Sequence, residues 1–307
     1  MIDIRENVPL GSHTTFEIGG KARYYVVVKT EEDMREAVRW SRDKGTRFVI
    51  LAGGSNVLLP DKGLDALVIS IESDRSSFRG NTLEAEAGAN LLGLIRLASA
   101  RGLGGWEKLA GIPGTLGGAI RGNAGAFGPE IKDFTQKVRA LSTKTDELRE
   151  FNVAECNFSY RNSFFKQNPE WIVTRALIEL EPIEPSDSEA IIERTIAERE
   201  RRHIQNVRAA GSFFVNPVAS KEIQELFEKE KGVESREGRV PAGWLIEKAG
   251  MKGARVGGAI ASEQHPNYLV NEAGATSADV KALAKKIKAA VMERFGVALQ
   301  EEAAIFA

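Results

Sequence analysis

Two stretches of this chain are rich in residues that let backbone approach a ligand. The longer reads GIPGTLGGAIRGNAGAFG, from Gly111 to Gly128, and the interval from Arg101 to Gly128 holds ten glycines. A glycine inside an element costs roughly 0.5–1 kcal/mol relative to alanine, so an ordinary core does not collect them. Their density predicts a ligand lying where side chains would intrude. The shorter stretch, AGGSN (Ala52 to Asn56), follows an apolar run. Two glycines and two small hydrogen-bonding residues can form a nest of backbone N–H groups suited to a phosphate; a tight turn explains them equally well. Neither stretch is the dinucleotide GxGxxG or the GxxxxGK[ST] phosphate loop, and no lysine stands where the latter needs one. A large flat ligand carrying a pyrophosphate would account for both.

Other chemistry is poorly supported. The one cysteine, Cys156, excludes an intrachain disulfide, and His13, His203 and His265 lie far apart, so no metal site is expected. Net charge is -1, which argues against nucleic acid or an anionic membrane as the main partner. No apolar run of membrane-spanning length occurs, and the first twenty residues lack the basic and apolar regions of a signal peptide. The expectation is a cytoplasmic, monomeric enzyme.

The elements that must position these loops follow from pattern. Arg23 to Lys29 reads as a strand. Thr30 then caps a helix that stops near Gly45, with Asp33 at the third helical position. Arg47 to Ala52 is a short apolar strand of the kind buried on both faces, and Ala66 to Ile71 is a further strand. Residues 82–89 form a strand, 89–102 a helix, and 135–143, 147–153 and 171–180 strands with hairpin character. The helix from Ser186 to Gln205 is highly charged and reads as a solvated connector. Beyond it come a strand-like GSFFVNPV (Gly211 to Val218), helices at 221–232 and 240–250, and a helix from Ser277 to Gly296. The apolar positions Val280, Leu283, Ala284, Ile287 and Val291 of that last helix follow the i, i+3, i+4, i+7 rule, with Ser277 as its cap.

The motifs also resemble a known family. GGSNVLLPDKGLDALVI and GIPGTLGGAIRGNAGAFG are similar to the two flavin-binding segments of the UDP-N-acetylenolpyruvoylglucosamine reductase (MurB) family. TTFEIGGKARYYV, YRNSFFK, GSFFVNP, GWLIEKAGMKG and NYLVNEAGATSADV resemble that family in the same order, over nearly the whole chain. The resemblance implies an α+β protein with a two-subdomain FAD-binding fold of the vanillyl-alcohol-oxidase type and a C-terminal α/β substrate domain. The expected boundaries are 1–75 and 76–198 for the two FAD-binding subdomains and 199–307 for the substrate domain.

It also implies roles. FAD would be held non-covalently, since no His or Cys lies within the glycine segments. Gly53, Gly54, Ser55, Asn56 and Val57 would hold its pyrophosphate. Gly111, Ile112, Pro113, Gly114, Thr115, Gly118, Asn123, Ala124 and Gly125 would line the rest by close backbone contact. NADPH would be the co-substrate and a UDP-sugar enolpyruvyl ether the substrate, as in peptidoglycan precursor synthesis. Arg161 would meet the substrate carboxylate, Glu302 would assist charge build-up there, and Ser212 would give a proton to C2. Tyr160, Asn216 and Gln264 would contact substrate.

Two departures from the family pattern bear on this. Val215 stands where the family usually has a basic residue, leaving Lys221 or the lysine-rich last helix as substitute cations. Two adjacent glutamates, Glu301 and Glu302, leave the catalytic register open by one, with spacing favouring Glu302. The rival expectations are another flavin oxidoreductase on the same scaffold and a non-catalytic flavin- or nucleotide-binding relative.

Overall fold

The computed structural model describes residues 2–202 and 207–306. The chain divides into two compact units, each assembled from separate stretches. One comprises Met1–Val8, Ala22–Gly54 and Asp65–Arg201; the other comprises Pro9–Lys21, Ser55–Leu64 and Arg202–Ala307.

The first unit carries two large sheets and a two-stranded pair of Leu103–Gly104 with Glu181–Pro182. A four-stranded sheet orders its strands Arg5–Pro9, Lys21–Val28, Leu64–Ile71 and Phe48–Leu51. Its last pair is parallel, with Phe48 opposite Leu67 and Leu51 opposite Ser70. Leu67, Val68 and Ile69 are all buried, so it is this strand that is covered on both faces; Phe48–Leu51, expected to be so, instead alternates, with Val49 and Leu51 buried and Phe48 and Ile50 half-buried, because it lies at the edge of the sheet. Helix α1 (Glu31–Asp43) begins as expected: the Thr30 hydroxyl accepts the Asp33 N–H at 3.0 Å. The second sheet is antiparallel and orders Leu148–Asn152, Thr135–Ser142, Trp171–Glu179, Thr82–Glu86 and Ser76–Arg79. The expected hairpin is its first pair. Helix α2 (Leu91–Ser99) is capped by Asn90, whose side chain accepts the Gly93 N–H.

Three findings differ from the sequence reading. The glycine stretch contains a helix, α3 (Leu116–Gly122), started by Thr115 and stopped by Asn123 in the left-handed conformation at φ 43°. A one-turn helix, α4 (Phe164–Gln167), follows the YRNS motif. The charged helix α5 (Pro185–Arg202) is no solvated connector. Ser188 and Ile192 are fully buried, Thr195 is nearly so, and the Ser188 hydroxyl donates to the buried Glu107 carboxylate at 2.7 Å. Its weak apolar pattern concealed this because two of the three inward residues are a serine and a threonine. The expected extension of this helix over His203, Ile204 and Gln205 lies outside the described residues.

The second unit has an antiparallel sheet ordered Ala209–Ser212, Tyr268–Asn271, Ala259–Ala261 and Arg255–Val256. Helices α6 (Lys221–Lys231), α7 (Ala242–Lys248) and α8 (Ser277–Phe295) accompany it. The expected apolar stripe of α8 is buried. Its cap is Thr276, one residue earlier than expected: Thr276 and Asp279 form a reciprocal capping box, while the Ser277 N–H goes to the Asp61 carboxylate at 2.8 Å. A short parallel pair joins Val57–Leu58 to Ala304–Ile305. Phe213, Phe214 and Trp244 anchor this unit's core; Trp106, Phe151 and Phe165 anchor that of the first. No helix among the described residues is long and apolar enough to cross a membrane.

Candidate active site

In the first unit the two glycine segments meet. A Cβ on Gly53 would lie 3.1 Å from the Gly114 Cα and 3.7 Å from a Thr115 methyl, so the segments approach backbone to backbone. Gly54 has φ +61°, the left-handed turn that a nest of N–H groups uses.

The structure corrects the simplest reading of the ten glycines. Eight are required by the chain itself. Gly102, Gly105, Gly114 and Gly128 have positive φ. A Cβ on Gly104 would strike Glu107, on Gly111 the Arg199 stem, on Gly117 Ala87, and on Gly125 Glu130, each under 3.0 Å. Two remain without such a reason, Gly118 and Gly122. Both have ordinary helical backbone, and a Cβ would meet only the Thr115 hydroxyl at 3.6 Å in one case and nothing within 4 Å in the other. Four residues apart, they share one face of α3, away from buried Leu116, Ala119 and Ile120. That leaves one bare helical face on α3. Gly122 was not singled out because nothing in the linear motif separates it from the glycines that the fold itself requires.

The first turn of α3 does not present free N–H groups. Leu116 donates to the Ala89 carbonyl at 2.9 Å, Gly117 to Ala87 at 2.8 Å, and Gly118 to the Thr115 hydroxyl at 3.4 Å.

Two further loops are tied together here. Asn123 is fully buried, and its amide donates to the Ser159 carbonyl and the Glu130 carboxylate, each at 2.9 Å. Its side chain is thus committed to the fold, leaving backbone for any ligand. The Arg161 guanidinium donates to the Gly125 carbonyl at 2.9 Å and lies over the Tyr160 ring, 5.0 Å from its centroid. Arg161 has φ +55°, and the Lys166 ammonium donates to its carbonyl at 2.9 Å. Tyr160 and Arg161 are therefore held against the loop of Asn123, Ala124 and Gly125.

In the second unit, Ser212 ends a strand whose continuation runs antiparallel to the C-terminal segment. Val215 N–H donates to the Gln300 carbonyl at 3.0 Å and Glu302 N–H to the Phe213 carbonyl at 2.8 Å, with Phe214 opposite Glu301. Glu302 is thus paired to the residue after Ser212. Asn56 joins them: its amide donates to the Glu302 carbonyl at 3.4 Å, and its own carbonyl accepts the Ala304 N–H at 3.0 Å. The adjacent glutamates differ. Lys288 holds both carboxylate oxygens of Glu301, at 3.0 and 3.2 Å. Lys288 is consequently no spare cation to stand in for the one missing at Val215.

Asn216 spends its amide oxygen on the Ala242 N–H at the start of α7, at 3.0 Å. Gln264 is exposed, its backbone N–H donating to the Ser262 hydroxyl at 3.0 Å. Sequence reasoning missed Asn267. Its buried side chain accepts the Phe214 N–H at 3.0 Å and donates to the Phe214 carbonyl at 2.9 Å, fixing the strand after Ser212. The only sequence signal for it is an asparagine inside an otherwise apolar strand start.

Residues 22–151 match the FAD binding domain family, and residues 202–306 match the C-terminal domain of UDP-N-acetylenolpyruvoylglucosamine reductase. The reductase of Solibacter usitatus (strain Ellin6076) is 34% identical over 97% of this chain and 95% of its own length. That of Carboxydothermus hydrogenoformans is 36% identical over 96% and 91%. The chain belongs to the UDP-N-acetylenolpyruvoylglucosamine reductase (MurB) family. A crystal structure of the MurB enzyme from Thermus caldophilus agrees, with a TM-score of 0.78, 27% identity, and coverage of 100% of this chain and 99% of that one. The α+β class and the FAD-binding scaffold expected from the motifs hold for this MurB-family chain.

Proposed function

We propose that this chain reduces the enolpyruvyl ether of UDP-N-acetylglucosamine enolpyruvate to the lactyl ether of UDP-N-acetylmuramate, with FAD as cofactor and NADPH as electron donor, in peptidoglycan precursor synthesis. The observation that carries this reading is 34–36% identity over nearly the full length to reductases of that name, with Arg161, Ser212 and Glu302 present. Residues 1–75 and 76–198 serve as the FAD-binding subdomains and 199–307 as the substrate domain. The enzyme is a cytoplasmic monomer with non-covalent FAD.

The residues present fit FAD. The Gly53–Val57 turn would hold its pyrophosphate, and the backbone of Gly111–Thr115, Gly118 and Asn123–Gly125 would line the remainder beside the bare face of α3. FAD, when bound, supplies the hydride acceptor and donor that links NADPH oxidation to reduction at C3 of the substrate. The side chains do the rest. Arg161 takes the substrate carboxylate in charge-assisted contact, so that negative charge developing toward the carboxylate is stabilised where it forms. Glu302 shares a proton at the same carboxylate, a role closed to Glu301 by Lys288. Ser212 delivers a proton to C2, which completes a two-electron, two-hydrogen reduction of the double bond. Tyr160, Asn216 and Gln264 position the substrate, Asn216 through the amide nitrogen that α7 leaves unused.

An anaerobic absorbance trace tests this reading. NADPH should bleach the flavin bands, and the enolpyruvyl sugar nucleotide should restore them. Bleaching without return would place the substrate elsewhere; a protein that takes up no flavin would end the reading. In Ser212→Ala the bleaching should persist while return slows about 10²–10⁴-fold, the worth of a positioned proton donor.

A further inference from the structure

Helix α5 buries one stripe, and an arginine continues it. Ser188, Ile192, Thr195 and Arg199 follow the i, i+4, i+7, i+11 spacing of a single helical face. The first three are buried, and Ser188 is bonded to Glu107 just upstream of the glycine loop. The fourth reaches Gly111: a Cβ on that glycine would lie 2.5 Å from the Arg199 Cδ and 3.3 Å from its Cβ. The glycine at 111 is therefore the seat of an arginine stem. Arg199 is half-buried, and among the described residues its guanidinium has no hydrogen bond or ion pair. The other arginines that lie against acidic neighbours, such as Arg175 with Glu84 and Glu86, are paired. A partly desolvated cation on an inward face is unfavourable unless an anion meets it.

We propose that Arg199 is a cofactor-binding residue, its guanidinium the cationic partner of the FAD pyrophosphate on the Gly111 side of the glycine loop. The inference rests on the FAD reading above. The stem lies on Gly111, three residues before Gly114, whose Cα would sit 3.1 Å from a Cβ on Gly53 in the other glycine segment. Arginine suits the task because its planar fork can hold two phosphate oxygens at once.

The test measures FAD affinity of the apo-protein by flavin fluorescence at several NaCl concentrations, for the wild type, Arg199→Met and Arg199→Lys. Far-UV circular dichroism and melting of each apo-protein show that the fold is kept. The expected result is FAD binding about tenfold or more weaker in Arg199→Met, with a flatter salt dependence, because one screened charge contact is gone. Arg199→Lys should keep part of the salt dependence. Gly111→Ala should weaken FAD similarly by displacing the stem, and adding it to Arg199→Met should cost little more. Wild-type affinity in Arg199→Met would overturn the proposal. So would weaker binding with an unchanged salt dependence, which would make Arg199 a packing residue only. A wild-type chain that binds no FAD would overturn the functional reading itself, a different pattern from either.

Discussion

Glu301 and Glu302 show how much one residue of register matters. Both lie in a segment paired to the Ser212 strand, but Lys288 grips only the first. Glu302→Gln should cut turnover by about 10²–10⁴-fold, as removal of a proton-handling group does. Glu301→Gln breaks a partly exposed ion pair and should cost less than about 1 kcal/mol in urea unfolding, with turnover largely kept. Asn267 is the opposite kind of residue, polar and buried. Asn267→Leu strands the buried Phe214 N–H and carbonyl and should cost about 2–4 kcal/mol, while loosening the strand that carries Ser212. Cys156 is chemically silent in the fold. Burial, and then the neighbouring Glu155 charge, pushes its thiol from 9.0 up to about 12. The unfolded chain therefore releases this proton near pH 9 and the folded chain does not, so this group's contribution to stability falls between pH 9 and 12. Thiol reagents at pH 8 should label Cys156 only after denaturation; rapid labelling of native protein would refute this.

At the scale of elements, the proposed flavin site sets stability against binding in α3. Gly118 sits in helical backbone with room for a methyl group. Gly118→Ala should stabilise the apo-protein by up to about 1 kcal/mol through helix propensity, yet weaken FAD binding because the methyl enters the ligand face. A variant that gains stability and keeps full FAD affinity would show that this face is not the flavin's. Helix α5 teaches a related lesson. Its charge suggested a solvated rod, but a serine, an isoleucine and a threonine at the right spacing suffice to bury it, with Glu107 as partner to the serine.

At the scale of the whole molecule, neither unit is one continuous length of chain. Phe16, Ile18 and Leu58 come from early segments but pack in the core built by Phe213, Phe214 and Trp244. A fragment ending at residue 201 leaves those three without that core. It should expose apolar surface, bind a hydrophobic dye and aggregate; a well-behaved, soluble fragment would contradict this division. FAD should stabilise the intact chain in a concentration-dependent way, by about 2.7 kcal/mol at a hundredfold excess over Kd, read as a rise in melting temperature.

The local signals were legible because they are set by neighbours along the chain. The strand from Arg23, the Thr30 cap, the α8 stripe and the apolar strands at 47–52 and 66–71 all follow from period and capping chemistry within a few residues. Motif order over the whole chain likewise carried the family and its cofactor. What depended on tertiary structure was everything set by contacts distant in sequence. The reason for each glycine is one case: Gly111 answers to Arg199, Gly117 to Ala87, and of the ten only Gly118 and Gly122 answer to no neighbour in the chain. The separation of Glu301 from Glu302 by Lys288, and the clamp of Asn267 on Phe214, are others. A side chain's partner across many residues is chosen by packing and desolvation in three dimensions, and a linear pattern does not encode those distances.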